Sequence, residues 1–341
     1  MTAGRARLGY IDGLRGIAVL AVLGHHALAD WQPAFPLAAR IGDLGAHGVD
    51  LFFVISGLCL ALPQLREGAP PLWGAALRAF LWRRAVRILP AYYATIAVLA
   101  VLVAAGLGER AAATPHALAG QLAFAGGPYL AAPFWTLPIE VRWYLAVPFA
   151  LALFARSRTL FTASALAGGI AFYALPVPVP ELGYVPEFCG GVWAASLVLA
   201  PSRFERYALP VAAIFGALVL VCEPAPGRGH VALDPAVVVA AVAAVIACGR
   251  LAAVRRLLEA RALRTVGIAS YGIYLAHDPV LTAAHALGTP WWLAVPLAVG
   301  AGFVLWALVE RPACDAARRH ARRAGLAALV KRGRARVSPL A

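Results

Sequence analysis

An arginine and two histidines interrupt an apolar stretch near the amino terminus, YIDGLRGIAVLAVLGHHALAD at residues 10–30. An α-helix turns about 100° per residue, so the eleven steps from Arg15 to His26 return the side chain to within about 20° of the same face, while His25 points about 80° away. A rise of about 1.5 Å per residue sets the two about 16 Å apart, roughly half of a hydrocarbon core about 30 Å thick. A cation near one membrane surface would then lie below a titratable imidazole at mid-depth. Each ionisable group at the bilayer centre costs about 2.5–3.5 kcal/mol, so such groups face a protein interior or a wet cavity and mark function. Three plainer readings stand beside this one. Arg15 could snorkel to the headgroups, and His25 and His26 could be packing residues bonded to a neighbouring helix. The stretch could also be a leader cleaved near Ala27-Leu28-Ala29, although Arg15 breaks its apolar run.

Four other stretches carry polar groups of the same kind. In HGVDLFFVISG, Asp50 either caps the helix or polarises an imidazole. In FLWRRAVRILPAYY, Arg84 and Arg87 lie three apart on one helical face. Their planar forks suit phosphate oxygens, and a basic inner boundary serving topology alone is the alternative. Pro90 suits the first turn of a following helix, and Trp82, Tyr92 and Tyr93 would frame the arginines. In FWTLPIEVRWY, Glu140 inside a membrane segment calls for a partner, whether Arg142, a histidine or water. In VGIASYGIYLAHDPV, Ser270, Tyr274 and His277 are spaced four and three and so share a face. Counted from the inner end, His277 reaches a depth close to that of His26, which makes either a shared cavity or a hydrogen-bonded packing pair.

These groups must be positioned by membrane helices. The chain has 341 residues, 62% of them apolar and 13% charged, a balance foreign to water-soluble domains of this length. A net charge of +14 would suggest nucleic acid in a soluble chain. Here the arginines fall between apolar segments and read as topology signals, so no nucleic-acid partner is expected. The five cysteines show no CxxC or metal-ligand spacing, so neither a disulfide framework nor a metal site is expected. Apolar runs predict an all-α polytopic bundle of about ten spans, near 11–30, 46–64, 88–107, 135–155, 159–176, 185–200, 207–222, 234–249, 267–287 and 291–309. With both termini cytoplasmic, the inner loops gather Arg5, Arg7, Arg66, Arg78, Arg83, Arg84, Arg87, Arg156, Arg158, Arg203, Arg206 and the arginines of 250–264. The outer loops keep only Arg40, Arg110 and Arg228, as the positive-inside rule requires. An eleventh span through 115–130 would invert this pattern, so that stretch reads as an outer loop or partial insertion. Residues 1–312 then form the transmembrane unit, and 313–341 a basic cytoplasmic tail, read as an amphipathic helix on anionic lipid.

The motifs YIDGLRG with Arg15 and His26, GVDLFFVISG, Arg84 and Arg87 before Ile88-Leu89-Pro90, WTLPIE, SYGIYLAH and VERP occur in order between residues 8 and 313. Together they resemble the acyltransferase 3 family of membrane O-acyltransferases, in its stand-alone form without an SGNH-type hydrolase domain. Pro138 and Arg142 depart from the small or uncharged polar residues the family more often has there. The resemblance implies transfer of an acyl group, commonly acetyl, from acyl-CoA to a hydroxyl of a sugar, glycolipid, polysaccharide or secondary metabolite. It places the protein in a bacterial inner membrane, with acyl-CoA as donor substrate and no tightly bound cofactor. Carried over by position, His26, Arg15, Glu140 and Asp50 become catalytic candidates. Arg84, Arg87, Ser270, Tyr271, Tyr274 and His277 become acyl-CoA-binding candidates. His26 would act as base or transient acyl acceptor, with Glu140 or Asp50 on its second nitrogen and Tyr274, Ser270 or His277 donating to the oxyanion. A proton-coupled transporter or flippase with a histidine and carboxylate relay is the competing class, and it predicts inverted repeats that the sequence does not display.

Overall fold

A computed structural model describes residues 8–31, 42–66, 72–106, 113–174, 180–200, 206–222 and 234–321. Arg5, Arg7, Arg40, Arg110, Arg203, Arg228 and the tail beyond Ala321 lie outside them. Most of the described residues are helical, and no strand occurs among them. Apart from the four-residue turns Ala132–Trp135 and Pro180–Gly183, the helices in chain order are α1 (Gly9–Trp31), α2 (Gly48–Ala61), α3 (Gly74–Ala104), α4 (Pro115–Leu122), α5 (Thr136–Arg156), α6 (Arg158–Ala174) and α7 (Val185–Leu199). They continue with α8 (Ala208–Cys222), α9 (Asp234–Arg250), α10 (Ala252–Leu258), α11 (Arg261–Ile268), α12 (Ser270–Ala286) and α13 (Trp291–Leu305). Six described helices are long and apolar enough to cross a membrane, or seven if α9 and α10, bent by 98°, form one span. Each of the ten expected segments holds a helix, and several of these are shorter than a full crossing. The stretch at 115–130 holds only the eight residues of α4, about 12 Å of helix, too short to span.

Several polar groups are buried within an apolar interior, and large apolar side chains cover the outside. Val98, Val101, Leu145, Phe149, Ile170 and Leu308 are exposed, whereas Gln121, Thr136, Glu187, His277 and Glu310 are buried. That distribution suits hydrocarbon, where polar groups must find partners within the protein. Trp291 and Trp292, both exposed, stand at the start of α13 beside Trp31, whose Nε1 donates to the Thr289 carbonyl at 3.2 Å. Tryptophans clustered at helix ends suit a membrane interface.

α1 lies at the centre, in contact with α2, α11, α12 and α13. A helix so embedded is part of the bundle rather than a discarded leader. Two close approaches set its surroundings. A Cβ on Gly267 of α11 would stand 1.6 Å from the Asp12 carbonyl oxygen, and one on Gly191 of α7 would stand 2.2 Å from that of Val54 in α2. Small residues let membrane helices touch backbone to backbone, where van der Waals packing is the main attraction. Gly267→Val is therefore expected to cost at least about 1–3 kcal/mol through overpacking, read as a lowered Tm in detergent.

One boundary differs from the sequence reading. Hydropathy starts the third span at Ile88 and makes Pro90 an opening residue, yet α3 runs unbroken from Gly74 to Ala104 with Pro90 inside it. The apolar window sees only the half that meets lipid. The Arg-rich half continues the same helix to a total of about 46 Å, longer than the core is thick.

Candidate active site

α1, α2, α3, α5 and α12 enclose a cavity of about 100 Å³. Its basic end is made by three guanidinium groups. Arg15 lines the cavity from α1 and donates from Nη2 to the Ser270 hydroxyl at 3.0 Å. Ser270 is placed there because the chain leaves α11 at Ala269 and restarts as α12 with Ser270 in its first turn. Arg84 and Arg87 line the same cavity from one face of α3. The Arg84 guanidinium rests 5.5 Å over the Phe80 ring and 5.8 Å over that of Tyr144, and its buried Nε has no hydrogen-bond partner among the described residues. Arg87 reaches Glu310, with Nη1 3.5 Å from Oε1. The expected frame for the arginines is therefore corrected. Trp82 is exposed, and Tyr92 and Tyr93 turn away to donate to the carbonyls of Gln121 and Leu122, while Phe80 and Tyr144 supply the rings.

Glu140 enters from α5, and its Oε1 accepts from the Tyr144 hydroxyl at 2.5 Å and the Ser56 hydroxyl at 3.3 Å. Arg142 is not its partner. Two residues along a helix are about 200° apart, and Arg142 points the other way, pairing with Glu181 and donating to the Phe124 carbonyl. Tyr271 donates to the Ile88 carbonyl at 3.1 Å and so ties α12 to α3 one residue past Arg87. Tyr274 lines the cavity, but its hydroxyl donates to the Pro133 carbonyl and meets the Thr136 hydroxyl, both at 2.9 Å. Its one proton is thereby engaged, and the Ser270 hydroxyl, which accepts from Arg15, is the better placed donor for an oxyanion.

Behind Tyr274 lies the histidine pair. His277, fully buried, has Nδ1 2.7 Å from the Tyr274 carbonyl and Nε2 3.2 Å from His26 Nδ1. A carbonyl only accepts, so His277 carries its proton on Nδ1 and, when neutral, presents an accepting Nε2. His26 must then hold its own proton on Nδ1, which also faces the Val22 carbonyl at 3.1 Å. Its Nε2 is left with a free lone pair. The His277 imidazole and the Val22 carbonyl, rather than Glu140 or Asp50, therefore hold the His26 Nδ1 proton. Asp50 is instead 2.7 Å from His47 Nδ1, and His25 Nδ1 lies 2.8 Å from the Gly42 carbonyl. So seven of the candidates, Arg15, Arg84, Arg87, Glu140, Ser270, Tyr271 and Tyr274, line one cavity. His26 and His277 form an adjoining pair on the far side of Tyr274, and Asp50 stands apart. The sequence reading gave no role to Thr136, Cys59 or Glu310, although Glu310 belongs to the VERP motif.

The acyltransferase domain of the acyltransferase 3 family matches residues 8–311, a range holding every candidate named here. The chain belongs to the acyltransferase 3 family. It is thus an acyltransferase and a multi-pass membrane protein. This acyltransferase is 27% identical over 352 aligned positions to "Nodulation protein 10" of Rhizobium leguminosarum bv. viciae, covering 89% of the present chain and 92% of that protein. It is 26% identical over 360 positions to the "Putative membrane-bound transacylase BcsY" of Komagataeibacter xylinus, covering 94% and 87%. A shorter match, 34% identical over 91 positions, is to the "Peptidoglycan O-acetyltransferase OatA" of Listeria monocytogenes, covering 27% of this acyltransferase and 13% of that chain. No solved structure matches.

Proposed function

We propose that this acyltransferase moves an acyl group, acetyl in the simplest case, from acyl-CoA to a hydroxyl of a sugar, glycolipid, polysaccharide or secondary metabolite. The observation that carries the reading is the convergence of Arg15, Arg84 and Arg87 on one intramembrane cavity, with the unpartnered Arg84 Nε at its edge. Three cations in so small a space suit the phosphates of a nucleotide-bearing donor. The thioester arm then rises beside Arg15 toward His26, passing Tyr274. The His26 Nε2 lone pair takes the proton of the acceptor hydroxyl as that oxygen attacks the thioester carbonyl, and the thiolate of CoA leaves as the tetrahedral adduct collapses. Ser270 donates to the developing oxyanion, and the Glu140 carboxylate, fixed by Tyr144 and Ser56, balances the cationic wall. The names of the transacylase and O-acetyltransferase relatives support the reaction class and a glycan acceptor. In the topology that goes with this reading, ten helices are embedded in a bacterial inner membrane, both termini are cytoplasmic, and the arginine end of the cavity faces the donor pool.

Purified protein in detergent with excess acetyl-CoA tests it. At a ligand concentration of 100 Kd, binding to the folded state adds about 2.7 kcal/mol, a rise in Tm of several degrees. Release of free CoA should also depend on an added hydroxyl acceptor or on membranes that supply one. A protein that neither gains stability from acetyl-CoA nor consumes it in native membranes is not this enzyme.

A further inference from the structure

We infer that Glu310 is a positioning residue that holds Arg87 at the phosphate end of the donor cavity. The inference rests on the donor reading above and adds to it a residue outside the cavity wall.

Glu310 is 2% exposed, deep for a carboxylate in a membrane helix. One oxygen faces Arg87 at 3.5 Å, and the other, Oε2, is buried without a hydrogen-bond partner among the described residues. An acid is tolerated in such a place when a charge needs it. The need is local. Arg15, Arg84 and Arg87 line the same small cavity and repel one another, while the other carboxylate there, Glu140, is already engaged by Tyr144 and Ser56. Glu310 takes one edge of the Arg87 fork and leaves the other edge directed at a ligand.

The backbone places it deliberately. Residues Trp306–Glu310 form a π-helical turn, in which the Arg311 N–H reaches the Trp306 carbonyl five residues back. Pro312 accounts for the turn, since a proline has no N–H and its ring collides with the carbonyl four residues earlier, here that of Leu308. The turn accommodates one extra residue. In a regular helix Glu310, eight residues after Gly302, would lie about 80° from it; with one residue absorbed it takes the seventh place, about 20° away. Gly302 is the point at which α13 touches α12, because a Cβ there would stand 2.3 Å from the Ile273 Cα. The wide turn thus rotates the carboxylate from the flank of the helix onto the face that meets α12 and α3.

Equilibrium binding of two probes to the full-length protein in detergent tests this. One is acetyl-CoA, and the other is S-acetylpantetheine, which lacks the nucleotide phosphates. Glu310→Gln, close in shape but uncharged, should weaken acetyl-CoA about tenfold and leave S-acetylpantetheine within twofold. In an Arg87→Gln background the same change should have less than a twofold effect on acetyl-CoA. Glu310→Asp, which keeps the charge but withdraws it by one methylene, should fall between, and it serves the same comparison if Glu310→Gln fails to accumulate. Equal weakening of both probes would reveal a merely structural acid and overturn the inference, as would unchanged acetyl-CoA binding. If Arg87→Gln itself leaves acetyl-CoA binding untouched, the donor reading has failed first, and the inference falls with it.

Discussion

His26→Ala is expected to lower kcat by about 10²–10⁴-fold, the range a positioned general base supplies, while the affinity for acetyl-CoA stays within about threefold. On the proposed mechanism the loss falls on kcat, because the imidazole would act on the acceptor proton and would leave the donor phosphates to the arginine end of the cavity. His25→Ala is the matched control. His25 is bonded to the Gly42 carbonyl and lies on another face of α1, so its removal should leave turnover within about threefold. His277→Ala falls between the two, at about tenfold. The His26 Nδ1 proton still has the Val22 carbonyl to hold it, yet the ring loses its 3.2 Å neighbour. Full turnover by a folded His26→Ala protein would remove the base assignment outright.

Arg84→Ala should weaken acetyl-CoA binding by about 10–100-fold. Hydrogen bonds to charged groups contribute about 1.5–3 kcal/mol each, and among the described residues the Arg84 Nε has no partner to which the loss could be charged instead. Arg84→Lys should recover little, because an ammonium offers no planar fork and stacks less well on Phe80 and Tyr144. Equal affinity in wild type and Arg84→Ala, measured by titration calorimetry, would show that the phosphates dock elsewhere.

The parts of this protein legible in its sequence are those that repeat along one helix. Spacing places Arg84 with Arg87, and Ser270 with Tyr274 and His277, because helical rotation is fixed whatever lies opposite. Cost arguments likewise single out Arg15, His26 and Glu140 as groups that must turn inward. The pairs His47–Asp50 and Glu140–Tyr144, three and four residues apart, follow the same helical spacing. Pairings between helices are a different matter, and nothing in a linear pattern says that Ser56 of α2 reaches Glu140 of α5. Such choices depend on how α2 and α5 are rotated against their neighbours, which the glycine contacts set. Hydropathy also hides half of α3, since its arginines end the apolar window without ending the helix. Glu310 escapes notice for a related reason: it follows an apolar run and precedes Arg311, the usual look of a span running out into water, and only the π-turn reveals it facing inward.

The outward side chains of the bundle, among them Val98, Val101, Leu145 and Ile170, are exposed and apolar, as a surface facing hydrocarbon requires. A fluid medium imposes no shape on what it surrounds, so these positions can drift freely among aliphatic residues without disturbing a neighbour. Most of the constraint therefore falls on the interior, where glycines, rings, charged groups and closely packed aliphatic side chains meet. An architecture of this sort leaves room for wide sequence drift, and this chain agrees with two of its relatives at only 26% and 27% of the aligned positions.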